Sequence, residues 1–196
     1  MAAGGGQEVD IDTAIHRQRI SQRATSGMLY SMPKPTIAAL PGAAAGAGFS
    51  LALACDLRIA ADTAFLTTAF ARVGFSGDYG GTFFLTRLLG AAKARELYLL
   101  SDRVAADEAA RLGLVNFVVP ADKLATETDA LAARLAAGPP IAYRYMKENL
   151  NRAVNGEMAD CLDLEVTHHV HTGKTEDHRN AAQAFVEKRA PVFKGR

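Results

Sequence analysis

From Ile37 to Cys55 no side chain is charged, which limits this stretch to a bilayer span or to a fully buried strand and helix. Gly42 and Gly46 even form a small-xxx-small pair of the kind found between membrane helices. Pro41-Gly42 nevertheless breaks the run near its start, and the Gly42 to Gly48 segment is poor helix material. No cationic or aromatic cluster flanks the run to mark an interface. The stretch therefore reads as a strand, Thr36 to Leu40, a Pro-Gly turn, a glycine and alanine linker, and a buried helix, Phe49 to Ala54. The amino-terminal residues Met1 to Glu8 lack the basic and apolar regions of a secretory leader and read as a loop. No membrane association is expected.

The segments around this unit follow an alternating grammar. A helix is expected from Asp12 to Tyr30, with Asp12 as its N-cap and Pro33 and Pro35 closing it. Short strands follow at Asp56 to Ala61 and Ala64 to Thr67. Turn residues fill Gly74 to Gly81, and a helix from Thr82 to Leu89 ends at Gly90. Helices then dominate, at Ala91 to Leu100, Ala106 to Leu112, Asp122 to Ala137, Ile141 to Val154, Met158 to Val170 and Thr175 to Arg189, with one strand at Val115 to Val119. Strands early and helices late describe an α/β chain whose helical carboxy-terminal part packs on the core or on another subunit.

Composition removes several function classes. Twenty-two basic and 21 acidic side chains leave a net charge of +1, without the basic excess of a nucleic-acid binder. Cys55 and Cys161 are far apart and have no Cys or His at metal-ligand spacing, so neither a disulfide framework nor a metal site is expected, and a reducing cytoplasm fits best.

Three places could carry chemistry. The first is the helix entered through Gly46-Ala47-Gly48, whose unpaired backbone N–H groups would face an approaching anion or carbonyl oxygen. It lacks the third glycine of a dinucleotide fingerprint and the Lys-Ser/Thr of a P-loop, and simple helix-on-sheet packing explains it as well. The second is Ser50 in Gly48-Phe-Ser-Leu-Ala52, close to a nucleophile elbow, with His168, His169 and His171 later in the chain. The same histidines read more simply as a polar helix end, and a metal pair, His168 and His171, is no better supported than the nucleophile's base. The third is Asp78, alone among Phe75, Tyr79 and four glycines. It is either a helix cap or an acid with a raised pKa that can shuttle a proton.

In order along the chain, Lys34-Pro-Thr-Ile-Ala-Ala-Leu-Pro-Gly42, Gly46-Ala-Gly-Phe-Ser-Leu-Ala-Leu-Ala-Cys-Asp-Leu-Arg-Ile-Ala60, Gly80-Gly-Thr-Phe-Phe-Leu-Thr-Arg-Leu-Leu-Gly90, Ala106-Asp-Glu-Ala-Ala-Arg-Leu-Gly-Leu-Val-Asn116 and Ala184-Phe-Val-Glu-Lys-Arg-Ala-Pro-Val-Phe193 resemble the crotonase superfamily of enoyl-CoA hydratases and isomerases. The resemblance implies a ββα spiral core over residues 1–135 and a helical trimerisation region over 136–196, with trimers often paired into hexamers. It implies acyl-CoA thioester substrates and no separate cofactor, coenzyme A being part of the substrate. It also implies an oxyanion hole of two backbone N–H groups, at Gly5 and Ala47, that stabilises a thioester enolate.

Departures from the family pattern carry as much information. Ser50 and Phe70 stand where family hydratases have their two catalytic glutamates, so the two-carboxylate addition of water has no acid-base pair here. Asp78 matches the position at which some isomerase-type members carry a proton-moving aspartate. Several strands that precede the first oxyanion-hole loop in the family are missing, which implies a shortened amino terminus with an uncovered sheet edge. Lys188 and Arg189, in a basic tail, match groups that can meet the phosphates of coenzyme A, although a solvated tail explains them equally. The expected reaction is double-bond isomerisation with Asp78 as the proton shuttle. A hydratase with a non-standard mechanism, a serine hydrolase using Ser50 and a non-catalytic acyl-CoA-binding paralogue are the alternatives.

Overall fold

The computed structural model describes residues 10–196. Among the described residues the strands form two three-stranded sheets between which the chain passes repeatedly. β1 (Ile37–Leu40), β3 (Leu57–Ala61) and β6 (Phe117–Val119) make one parallel sheet in the order β1-β3-β6. β2 (Ala43–Ala45), β4 (Phe65–Thr67) and β5 (Val104–Ala105) make the other, with β2 parallel and β5 antiparallel to β4. Each passage through both sheets is followed by a helix, first α3 (Ala47–Ala54) and then α4 (Gly81–Leu100). The result is a ββα spiral. Strand and helix repeats of this kind cannot bury their apolar faces alone, so successive turns stack and share one core.

Leu66, Leu85 and Leu114, wholly buried, stand at the centre of that core. The alanines of α3 and β3, Ala52, Ala54, Ala60 and Ala61, are buried beside them. Small side chains here let helix and sheet approach closely, which is the structural meaning of the uncharged run. Arg58 is the exception within β3. Its guanidinium is buried and donates to the carbonyls of Leu114 at 2.7 Å and Cys55 at 2.6 Å. The Arg58 N–H donates to Asn116 Oδ1 at 2.8 Å, and the Asn116 N–H returns a bond to the Arg58 carbonyl at 2.9 Å. One residue thereby joins the second turn of the spiral to the third.

The helical segments differ from the sequence expectation in instructive ways. Asp10, and not Asp12, caps α1 (Ile11–Gln22), its carboxylate accepting from the Thr13 N–H at 3.0 Å. The expected single helix continues through a π-helical turn, Arg23–Gly27, into α2 (Met28–Ser31). Gly90, with non-helical φ 76° and ψ 164°, ends the first expected helix and kinks the chain into the second, so α4 is two helices joined across that residue. α5 (Ala106–Arg111) and α6 (Leu124–Ala136) complete the layer around the sheets, and α7 (Pro140–Ala153), α8 (Met158–Gly173) and α9 (Glu176–Val186) form the carboxy-terminal part. Among the described residues no helix is long and apolar enough to cross a membrane. Ile37 to Cys55 is divided between β1, β2 and α3, as the Pro41-Gly42 turn implies.

Candidate active site

The site begins where β2 turns into α3. Gly46 has φ 52° and ψ −124°, a conformation that side chains rarely adopt, and its N–H donates to the Thr67 carbonyl of β4 at 3.1 Å. No side chain caps α3. An uncapped helix leaves its first amides, Ala47 among them, available to an external acceptor, and the positive end of the helix dipole lies behind them. A Cβ added at Gly46 would sit 3.7 Å from the Phe70 ring, which fixes Phe70 beside this helix entrance.

Phe70 opens a 3-10 turn, Phe70–Val73, held between left-handed Ala69 and Gly74. A hydroxyl network anchors the turn. Thr68 Oγ1 donates to the Leu97 carbonyl at 2.7 Å and lies 3.0 Å from Ser101 Oγ, which in turn accepts from the Ala71 N–H. Ser50 is buried one turn into α3, and its hydroxyl donates back to the Gly46 carbonyl at 3.3 Å. Both positions at which the family resemblance places glutamates are thus buried near Tyr98, and neither carries a carboxylate.

Asp78 sits near the same Tyr98, in a turn built from unusual backbone. Gly74, Gly77, Tyr79 and Gly80 all have positive φ. Only Tyr79 is not glycine, and it is held there from α1: Gln22 Oε1 accepts from the Tyr79 N–H at 2.7 Å, and Ser21 Oγ lies 3.0 Å from the Tyr79 hydroxyl. A non-glycine residue in this region costs on the order of 1 kcal/mol or more, so these two contacts maintain a strained turn next to the acid. The capping alternative for Asp78 fails. α4 starts after Gly80 without a side-chain cap, and only the Asp78 carbonyl reaches the Gly81 N–H. The carboxyl itself has one oxygen, Oδ1, buried with no hydrogen-bond partner among the described residues, and burial raises its pKa above the ordinary value.

That shift has a sign for stability. The folded state favours protonated Asp78 more than the unfolded chain does, so this contribution is complete below the ordinary value of 3.8 and is lost as pH rises through the raised folded value. Asp78→Asn is therefore expected to melt at the same temperature as the parent in acid and at a higher one near neutrality. Thermal melts over a pH series check this. A gap that stays constant with pH would show that the carboxyl is not desolvated.

Nothing in the sequence singles out Tyr98. It lies in the second half of α4, its hydroxyl buried beside Ser50 and near Asp78. Burial first, and the Asp78 charge second, push its pKa up to about 12, while Ser50 acts in the opposite direction. A tyrosine of this kind stays protonated near neutrality and keeps its O–H available for donation. On a helix it reads as one more core aromatic, and only the bend at Gly90 turns it back toward Ser50 and Asp78.

The remaining candidates lie elsewhere. Gly5 falls outside the described residues. His168 is buried on α8, stacked on Tyr145 and bonded through Nδ1 to Asn149, while His169 and His171 are exposed. None is bonded to Ser50. Among the described residues no group of three His, Cys, Asp or Glu side chains could hold a metal ion. Lys188 and Arg189 follow α9 on the surface, with Arg189 paired to Glu187.

A family model described as enoyl-CoA hydratase/isomerase matches residues 2–196. A probable enoyl-CoA hydratase of Rhodobacter capsulatus is 42% identical over 168 residues, 86% of this chain and 65% of that protein. The 1,2-epoxyphenylacetyl-CoA isomerase of Escherichia coli is 38% identical over 168 residues, 86% of this chain and 64% of that protein. The chain thus spans about two thirds of the length of these curated relatives. Among solved structures, an enoyl-CoA hydratase from Polaromonas sp. JS666 superposes with a TM-score of 0.90 at 35% identity, over 94% of this chain and 72% of that one.

Proposed function

The chain belongs to the enoyl-CoA hydratase/isomerase family, and from that premise we propose that it isomerises the double bond of an unsaturated acyl-CoA thioester, with Asp78 as the proton carrier. The observation that carries this reading is the pairing of one desolvated, unpartnered acid with the absence of any carboxylate at Ser50 and Phe70. One acid suffices for a proton moved within a substrate. Adding water requires a base for the water and an acid for the carbon.

In the proposed cycle the Asp78 carboxylate removes a proton from the α carbon of a 3-enoyl thioester. The electron pair moves into the conjugated system and onto the thioester oxygen, which accepts hydrogen bonds from the Gly5 and Ala47 amides. Asp78, now protonated, returns the proton to the γ carbon, and the double bond comes to rest in conjugation with the thioester. Atoms and charge balance without a metal or a redox cofactor, because coenzyme A enters and leaves with the substrate. The open start of α3 supports the Ala47 assignment. The names of relatives include both hydratases and isomerases, so the family alone does not choose between the two reactions.

The test is an ultraviolet assay with a 3-enoyl-CoA, following the conjugated product. Silence from folded, coenzyme-A-binding protein would sink the isomerase reading. A serine hydrolase is disfavoured because Ser50 Oγ is turned into its own helix and no histidine reaches it. Ser50→Ala is accordingly expected to keep turnover within about tenfold of the parent, and a fluorophosphonate probe is expected not to label Ser50. Labelling that disappears in the variant would reverse that judgement.

Exposed apolar residues of the last three helices, Leu150, Val166, Phe185 and Val186, fit the further proposal of a homo-oligomer, a trimer or a pair of trimers, assembled through this region. Lys188 and Arg189 are proposed as contacts to coenzyme A phosphates, since both are exposed cations beyond α9.

A further inference from the structure

Tyr98 takes no part in the cycle just described, yet it touches both Phe70 and the turn that carries Asp78. Its ring lies parallel to that of Phe70, with centroids 5.9 Å apart. On the other side a Cβ added to Gly77 would come within 2.8 Å of the ring, and one added to Gly81 would collide with the hydroxyl. The ring thus meets Phe70 on one side and the Asp78 turn on the other and fills the space between them. On its outer side lies an open, mostly apolar groove of about 380 Å³ in the bend of α4, lined by Thr82, Thr86, Ala94, Arg95 and Leu99 with Tyr98 itself. The same side chain therefore borders both spaces.

We propose that Tyr98 is the end wall of the acyl pocket and restricts the site to short acyl groups, its ring standing between the substrate chain and the groove in the α4 bend. This rests on the acyl-CoA reading above. An acyl group whose α and γ carbons lie against Asp78 runs toward Tyr98. A longer hydrocarbon would have to displace the ring from Phe70 or press against the buried hydroxyl, and both oppose binding. Removing the ring joins the two spaces, and each methylene then buried strengthens binding by roughly fourfold.

The experiment is calorimetric binding of butanoyl-, hexanoyl- and decanoyl-CoA to the full chain and to Tyr98→Ala, Tyr98→Leu and Tyr98→Phe. The parent is expected to bind hexanoyl-CoA at least about tenfold more tightly than decanoyl-CoA. Tyr98→Ala is expected to abolish or reverse that preference, and Tyr98→Leu, which keeps more of the packing should the alanine variant fail to fold, to reduce it. Tyr98→Phe retains the ring and is expected to retain the cut-off. Equal affinity for all three chains in the parent, or a length profile unchanged by the alanine and leucine variants, would overturn the proposal. So would a phenylalanine variant as permissive as alanine, which would assign the effect to the hydroxyl alone. Saturated ligands keep this separate from the chemistry: length discrimination without 3-enoyl-CoA turnover would remove the isomerase reading and leave the wall standing.

Discussion

Replacing Asp78 with alanine is expected to lower turnover of a 3-enoyl-CoA by about 10²- to 10⁴-fold, the range contributed by a positioned acid-base group. The loss should fall on kcat, with KM changed little, because the carboxyl acts on a proton in flight and the thioester is held by backbone amides. In the parent, turnover should rise with pH as Asp78 ionises, with its midpoint above the usual aspartate range because burial disfavours the charged form. Asp78→Asn keeps the shape and removes the proton exchange, so it should be as inactive as alanine while remaining at least as stable near neutrality. Steady-state kinetics of both variants check the assignment. Full turnover in Asp78→Ala would move the proton chemistry to another residue.

Lys147→Met is expected to cost about 2–4 kcal/mol of folding stability, with no direct effect on the proton-transfer step. Lys147 is buried on α7, and its ammonium donates to Asp56 Oδ2 at 2.8 Å and to the carbonyls of Leu29 at 2.9 Å and Lys34 at 3.3 Å. Asp56 Oδ2 also accepts from the Thr36 N–H and hydroxyl at 2.7 and 2.8 Å. The cation therefore binds the carboxy-terminal helices to the segment leading into β1 and to the entrance of β3. A methionine fills the volume but leaves two carbonyls and a carboxylate unanswered, and the partial exposure of Asp56 keeps the loss below the upper end for a fully buried pair. Urea unfolding measures it, and the double variant with Asp56→Asn should recover part of the loss. A change below about 1 kcal/mol would mean that water replaces the ammonium at little cost.

How much of this was legible in the sequence depended on whether the signal was local. The Gly46 to Ala54 unit announced itself because glycine, alanine and the absence of charge state both backbone conformation and close packing. β2 did not: Ala43–Ala45 has little intrinsic strand preference, and only pairing with Phe65–Thr67 makes it a strand. β5 is two residues long, below what alternation can register. Asp10 and Asp12 are the same residue type two positions apart, and the choice between them rests on which carboxylate meets the Thr13 N–H. Asp78 could be nominated from its glycine-rich setting, but its failure to cap α4 became visible only in three dimensions. Tyr98, Gln22 and Ser21 carried no sequence signal, since their roles arise from contacts made across 20 to 58 positions of chain or around the Gly90 bend. Lys147 likewise reads as an ordinary cation on a helix face until its four-carbon stem is followed inward.

Spiral repeats that touch only their neighbours can in principle open one turn at a time, each with its own local free energy. Arg58 works against that independence. Exposing β6 would break its bonds to Leu114 and Asn116 and leave a guanidinium in β3 with half its acceptors gone, a penalty paid by the turn that had not yet opened. The second and third turns are thereby made to melt as a single cooperative unit, and the α4 segment between them is shielded from partial unfolding at either end.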